Sequence, residues 1–408
     1  MHILYLIHQF YPEHYSGTER VIFGTASYMQ KLGYKVTVLT YSHNKEVYPY
    51  KMDGVSHKEY VFEGISVIAV KSNDPSYNRG NLIESESLVY QNIIKKINPD
   101  LIHAGHLMFM NAFLQAGKKM NIPYVVSLTD FWLICHKAQM TLDLGALCSG
   151  PEQGKHCQKM CAGLEKEYYQ KRFQQACKIL SESSANIVSS DFLHNMMSHA
   201  IKGFKSVNVA YGLNFSYLDV NSNHYKSDSK INFLFSGTLS KHKGIDTTIK
   251  AFKSLNNKKF TLNIYGDGPL RSYVEDEIKS EENIHFWGSY LKEDTKKLIK
   301  ENDVVLIPSA WYENNPIILQ EMIAANIPPI VSNIGSLPEM VKDKKTGFIF
   351  EMSDVNDLKT VIESIINNPA QLNKIKSNIY GNYKIITIEQ QVLAYVDIYS
   401  KAQRKVAE

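Results

Sequence analysis

The sequence predicts an α/β protein of two domains, each a parallel sheet flanked by helices. Three observations carry this. Short apolar, β-branched runs alternate with helical patterns along the chain. Those runs are apolar nearly throughout, as strands covered on both faces should be. The 408 residues exceed one ordinary domain of roughly 150, and a Ser-, Asn- and Asp-rich stretch at 214–230 separates two copies of the alternation.

In the first half, strands are expected at 2–7, 35–40, 65–70, 100–104, 124–128, 186–189 and 207–211, with helices at 18–32, 83–97 and 166–181. The second half repeats the grammar, with strands at 231–235, 261–265, 284–287, 304–308, 329–332 and 348–350 and helices including 317–325 and 355–366. A last helical pattern covers 387–406. The expected domains are 1–213 and 231–386, with 214–230 as linker and 387–408 as a terminal helix. Residues 135–163 break the alternation and read as a long insertion beside the first sheet, and ordered loops of that length are often functional.

With 44% apolar and 21% charged residues, the chain is not disordered. No apolar run reaches the roughly 18 residues of a membrane helix. The start, Met1-His2-Ile3-Leu4-Tyr5-Leu6-Ile7, lacks the basic segment and cleavage site of a leader, so it reads as a first strand and the expected location is the cytoplasm. The net charge of +4, from 45 basic and 41 acidic residues, is too balanced for nucleic acid and compatible with weak attraction to anionic lipid.

Neither a P-loop nor a G-x-G-x-x-G follows a strand, which disfavours NTPases and dinucleotide enzymes. Anion-binding chemistry is instead readable at three turns. Gly17, in Ser16-Gly17-Thr18-Glu19, opens a helix after the first strand; it suits an anion or a plain tight turn. Gly237 ends a strand, and Lys243 follows where ligands bind in such sheets, a cation placed for a diphosphate. Gly266 and Gly268 flank Asp267 after the next strand and suit close backbone approach or a turn. The strongest constellation is Glu313-Asn314-Asn315-Pro316-Ile317, with Glu321 further on. Pro316 suits the first turn of a helix, whose N-terminus can face phosphate. Glu321 suits the vicinal hydroxyls of a ribose or a solvated helix face; Glu313 suits a ligand or an N-terminal cap.

Taken in order, E-x7-E, G-x-L-x-x-x-K-G, G-x-G-P, the segment from Pro328 to Glu339 and the Tyr-Pro…Gly-Thr-Glu loop resemble family 4 of the retaining glycosyltransferases over nearly the whole chain. The resemblance implies a GT-B fold, two Rossmann-like domains facing across a cleft, with the nucleotide-sugar in the C-terminal domain, most of the acceptor in the N-terminal one, and the last helix crossing back to the first domain. By position, Lys243 would bind the donor diphosphate, Glu321 the ribose, and Glu313 the donor sugar near the reacting centre. The backbone at Asn315, Pro316 and Ile317 would line sugar and phosphate, and Gly17 would sit against the diphosphate. His106, just past a strand end, is the expected sugar-facing histidine, whereas His103, within the strand, reads as packing. The sequence departs from the family pattern at Thr238, where an Arg is usual. It departs again at Thr129-Asp130, where His-Asp is usual, and at His103-Ala104-Gly105-His106, where H-x-H is usual. No Asp-x-Asp occurs, which agrees with cations such as Lys243 in place of a catalytic metal.

Cys135, Cys148, Cys157 and Cys161 fall in the insertion, where a branch of the family carries Asp-x-Trp-x-x-Cys and further cysteines. A structural zinc site of four thiolates, free thiols and a disulfide are the three readings; Cys177 reads as packing. The expected function is transfer of a sugar from a UDP- or GDP-sugar to a glycan or polyprenyl-linked acceptor in cell-surface polysaccharide assembly, without a catalytic cofactor and with peripheral contact at the inner membrane leaflet. The rival functions are a GT-B nucleotide-sugar epimerase and a non-catalytic nucleotide-sugar-binding subunit.

Overall fold

A computed structural model describes residues 1–42, 50–52, 55–72, 82, 88–142, 145–162, 165–215, 218–291, 294–383 and 385–407. The expected start of a helix at 83–87, insertion residues 143, 144 and 163, linker residues 216 and 217, and the terminal Glu408 lie outside the described residues. The chain forms two compact units, residues 1–213 with 386–408, and residues 214–385.

The described strands of the first unit are β1 (His2–Ile7), β2 (Lys35–Tyr41), β3 (Tyr50–Met52), β4 (Val55–Phe62), β5 (Ile65–Ser72), β6 (Leu101–Ala104), β7 (Tyr124–Ser127), β8 (Ala185–Val188) and β9 (Val207–Asn208). They form one sheet in the order β3-β4-β5-β2-β1-β6-β7-β8-β9. β1 lies at its centre and is fully buried, with Leu4 opposite Thr37 on one side and Ile102 on the other. Seven strands pair in parallel, as the apolar runs require. β4 and β3 are an addition at one edge and pair antiparallel. The last expected strand, 207–211, is confined to β9.

The helix Ile388–Ala407 belongs to this unit and buries Val392, Tyr395, Ile398, Tyr399 and Ala402, one face at helical spacing. The Tyr399 hydroxyl lies 2.5 Å from His103 Nδ1 and 3.3 Å from the Tyr5 hydroxyl, and His103 Nε2 lies 2.7 Å from Ser127 Oγ. Burial pushes His103 down to about 3, so it is a neutral member of a polar core, as its place inside a strand led us to expect.

The second unit carries β10 (Ile231–Ser236), β11 (Phe260–Tyr265), β12 (Ile284–Gly288), β13 (Val304–Ile307), β14 (Pro329–Ser332) and β15 (Phe348–Phe350), all parallel, in the order β12-β11-β10-β13-β14-β15. Its core includes Phe233, Phe252, Phe260, Leu306 and Ile330. The stretch 214–230, expected as a linker, packs onto this unit. The Asn221 side chain donates to the carbonyls of Ile299 and Asn302 at 2.9 and 3.0 Å, Lys376 Nζ donates to Asn221 Oδ1 at 2.8 Å, and the Tyr225 hydroxyl donates to Asp303 at 3.1 Å. Polar composition marked a loop correctly but concealed that its amides are hydrogen-bonded to the body of the unit.

Both sheets have a switch point, where winding changes direction. It lies between β1 and β6 in the first unit and between β10 and β13 in the second. Ligands in such sheets bind beyond the carboxyl ends of the strands at that point.

Candidate functional site

In the second unit, the loop after β13 supplies Ser309, Trp311 and Glu313, and the loop after β10 supplies Lys243. The four converge. Glu313 Oε1 accepts hydrogen bonds from Lys243 Nζ at 2.6 Å, Ser309 Oγ at 2.7 Å and Trp311 Nε1 at 2.7 Å. The Lys243 ammonium also lies 4.6 Å over the Trp311 ring. Burial pushes the Glu313 carboxyl up, but the Lys243 charge and the three hydrogen bonds outweigh it and hold the group below its ordinary value. Burial and the Lys243 charge together push His242 down, against the pull of Glu313. The result is a fixed carboxylate beside a fixed cation. Of the two readings of Glu313, the helix cap is not the one observed: its side-chain partners are Lys243, Ser309 and Trp311.

Backbone contacts hold this loop. Ser332 Oγ donates to the Ser309 carbonyl at 2.6 Å, and Ser336 N–H donates to the Glu313 carbonyl at 2.9 Å. Gly335 has φ +62°, and a Cβ there would stand 2.4 Å from the Glu313 carbonyl oxygen, so only glycine fits this approach. The glycine loops interlock. Gly237 N–H donates to the Tyr265 carbonyl at 3.1 Å, and Leu239 N–H donates to the Asp267 carbonyl at 2.9 Å. At Gly266, with φ +134°, a Cβ would stand 1.9 Å from the Gly237 carbonyl oxygen. Gly268 N–H donates to Asp267 Oδ1 at 2.7 Å.

Pro316 sits at the N-cap of the helix Ile317–Ala324 with ψ 122°, one residue before the first turn where it was expected. Its carbonyl still accepts from Gln320 N–H at 3.3 Å. Asn315 Oδ1 accepts from Gln320 Nε2 at 2.7 Å. Glu321 is 3% exposed, which replaces the reading of a solvated face. Thr238, in the place of the usual Arg, is exposed, and Arg271 is engaged by Asp267 and Glu275.

In the first unit, Gly17 opens the helix Gly17–Lys31. Two residues on, the buried Glu19 accepts from Ser16 Oγ and lies 3.6 Å from His8 Nε2. The His8 and His106 rings are 4.1 Å apart between centroids. His106 Nε2 lies 3.0 Å from Asp130 Oδ2, and Met108 N–H donates to His106 Nδ1 at 3.2 Å. Both ring nitrogens of His106 are therefore engaged. His106 and Asp130 line a pocket with Ala104, Ser127, Thr129 and Trp132. The buried Arg172 supports that wall, donating to the carbonyls of Trp132 and, at 2.9 Å, Leu133.

The sequence left three readings of the cysteines open. Among the described residues, no group of three or more His, Cys, Asp or Glu side chains is placed to hold a metal ion. Cys135, Cys148, Cys157 and Cys161 are free thiols, and so is Cys177. Burial, then the neighbouring Cys161, Cys135 and Cys148, push the Cys157 thiol up to about 12, and Cys148 is likewise raised, first by burial.

Sequence reasoning missed Ser309 and Trp311 as partners of Glu313, and His8, Glu19 and Asp130 around His106. The available signals were a Ser and a Trp within four residues of Glu313, and histidines just past two adjacent strand ends.

Two family models match the chain: one described as Glycosyltransferase Family 4 over residues 15–200, and one described as Glycosyl transferases group 1 over residues 220–382. A Klebsiella pneumoniae relative, described as an uncharacterized 41.2 kDa protein in cps region, is 33% identical over 135 residues, which is 33% of this chain and 37% of that protein. An uncharacterized glycosyltransferase of Methanocaldococcus jannaschii is 30% identical over 185 residues, 43% of this chain and 46% of that one. The chain thus spans less than half the length of these curated relatives. The solved structure of Anabaena HepE in complex with UDP and glucose superposes with a TM-score of 0.69 at 16% identity, over 98% of this chain and 99% of that one, and so shares the fold. With both domain families matched in order on two parallel-sheet units, the chain belongs to the family 4 glycosyltransferases of GT-B fold.

Proposed function

We propose that the chain is a retaining glycosyltransferase. It moves a sugar from a UDP- or GDP-sugar to a hydroxyl of a glycan or polyprenyl-linked acceptor, in cell-surface polysaccharide assembly at the cytoplasmic face of the membrane. The observation that carries this is the Lys243–Glu313 pair, 2.6 Å apart at the switch point of the second sheet and braced by Ser309 and Trp311. In this reading Lys243 supplies positive charge to the donor diphosphate and Glu321 takes the ribose hydroxyls. Glu313 faces the donor sugar, and the backbone of Asn315, Pro316 and Ile317 lines it. Gly237, Gly266 and Gly268 let backbone approach the ligand, and beyond its two chain neighbours no residue lies within 4 Å of where a Cβ on Gly237 would stand. The acceptor hydroxyl attacks from the face the diphosphate leaves, and the departing phosphate oxygen takes its proton. The protein then contributes positioning and fixed charge. Lys243 does this without a divalent cation, which fits a sequence lacking Asp-x-Asp.

The HepE complex with UDP and glucose and the cps-region relative support a nucleotide-sugar donor and a polysaccharide setting. A second reading, a nucleotide-sugar-binding subunit without turnover, is favoured by Thr238 in the place of the usual Arg. The test of donor binding is thermal stabilisation by UDP-, GDP-, ADP- and dTDP-sugars, with Lys243→Ala alongside. One nucleotide should raise the melting temperature of the wild type by linkage and not that of Lys243→Ala. No shift with any donor contradicts both readings.

A further inference from the structure

The pocket beside β6 and β7 is backed by four titratable side chains in a row: Glu19, His8, His106 and Asp130. Successive contacts are 3.6 Å between Glu19 Oε1 and His8 Nε2, 4.1 Å between the two imidazole centroids, and 3.0 Å between His106 Nε2 and Asp130 Oδ2. Side-chain exposure along the row is 0% for Glu19, 14% for His8, 4% for His106 and 33% for Asp130. One end is sealed in the unit, and the other opens on the pocket.

Hydrogen bonding sets the tautomer of His106. Met108 N–H donates to Nδ1, so Nδ1 carries a lone pair, the ring proton sits on Nε2, and Nε2–H donates to Asp130. A bound molecule can hydrogen-bond His106 only by displacing one of these partners. Asp130 is different. Its Oδ1 accepts from Trp132 N–H at 2.8 Å and its Oδ2 from His106, and a carboxylate has about four acceptor sites. It therefore keeps accepting capacity, and it is one of the residues that line the pocket.

We propose that Asp130, rather than His106, is the side chain of the first unit that touches substrate, its carboxylate accepting a hydrogen bond from the acceptor hydroxyl, and that Glu19, His8 and His106 are positioning residues behind it. This rests on the transferase reading above. His106 Nε2–H fixes one carboxylate oxygen. The His8 ring packs on His106 and stops it turning. Glu19, buried in the first turn of a helix where negative charge is favoured, holds the edge of His8. During transfer, the acceptor oxygen bonds to the anomeric carbon as that carbon's bond to the donor phosphate oxygen breaks. The hydroxyl proton passes to the departing phosphate oxygen. Asp130 aims the hydroxyl and gains no proton overall.

The test has two arms on the full chain. In ¹⁵N-labelled protein at pH 7.5, His106 should show a protonated Nε2 and a bare Nδ1, and His8→Phe or Glu19→Gln should shift those signals. The opposite tautomer, or signals unmoved by both variants, overturns the row whatever the activity. The second arm measures nucleoside diphosphate release from UDP-glucose, ADP-glucose and GDP-mannose with water as acceptor. Asp130→Asn should lower the rate about 10²-fold, with the donor's thermal shift intact. His106→Gln, which keeps an N–H for Asp130, should retain far more activity than His106→Ala. Asp130→Asn within twofold of wild type, or equal losses in the two His106 variants, overturns the proposal. A wild type that binds no donor refutes the transferase reading instead, and the imidazole signals still decide the row.

Discussion

Glu313 is buried, yet ionised, because three donors converge on one oxygen. That arrangement makes it a pH-dependent source of stability. Its folded pKa is depressed from 4.5, so the unfolded chain binds the proton more readily. The contribution is therefore complete above the unfolded value and is lost as pH falls through the folded one. The stability gap between wild type and Glu313→Gln should narrow as pH drops below about 4.5, measured by urea denaturation; a gap constant with pH contradicts the assignment. At this scale the sequence was informative about identity and not about company. Glu313, Lys243 and Glu321 were readable as a set because turn glycines and a helix start mark the ends of strands. That Ser309 and Trp311 complete the Glu313 cradle depends on how the loop after β13 bends, through contacts from Ser332 and Ser336 some twenty residues away. The tautomer of His106 was equally hidden, since it is set by the Met108 backbone N–H and by Asp130 in the loop after β7.

Among the elements, buried parallel strands were the most legible, because cover on both faces leaves an uninterrupted apolar run. β14 and β15 match their expected bounds, and β10 to β13 differ by a residue at an end. β4 escaped notice for the converse reason. Val55-Ser56-His57-Lys58-Glu59-Tyr60-Val61-Phe62 lies toward the sheet edge, and its outer positions, such as the exposed Val61, need not be apolar. Its signal was the two-residue turn Glu63-Gly64, both with positive φ, which joins it to β5 as a hairpin. The segment 214–230 was misjudged because Asn and Ser serve loops and buried hydrogen bonds alike. Lys376 is the buried anchor of that segment, bonded to Asn221 and the Asn223 carbonyl. Burial outweighs the attraction of Asp303 and lowers its pKa to about 8. Between about 8 and 10 the unfolded chain holds more protons at this site, so stability from Lys376 should rise with pH. Lys376→Met should remove that rise in thermal melts, and an unchanged slope contradicts the burial argument.

At the scale of the molecule, the chain leaves the first unit at Leu213, builds the second, and returns to complete the first with its last helix. Val392, Tyr395, Ile398 and Tyr399 together bury apolar surface worth on the order of 6–12 kcal/mol, comparable to the roughly 5–15 kcal/mol that holds a whole domain together. Residues 214–385 should therefore fold when expressed alone, whereas 1–213 without 386–408 should lack near-ultraviolet dichroism and cooperative melting; a cooperative 1–213 fragment contradicts this division. The two-domain plan was legible because the alternation of strands and helices repeats. The membership of the last helix followed only from the family resemblance, since nothing in its own pattern states which sheet it covers. The central claim is that Glu313 acts in sugar transfer and is more than a structural acid. The most direct measurement is mass-spectrometric detection of nucleoside diphosphate released from the donor that stabilises the protein, comparing wild type with Glu313→Gln. A transferase should release it, with a rate at least about 10²-fold lower in Glu313→Gln and the donor's thermal shift preserved. Equal rates in both proteins, or a bound donor with no release in either, would contradict it.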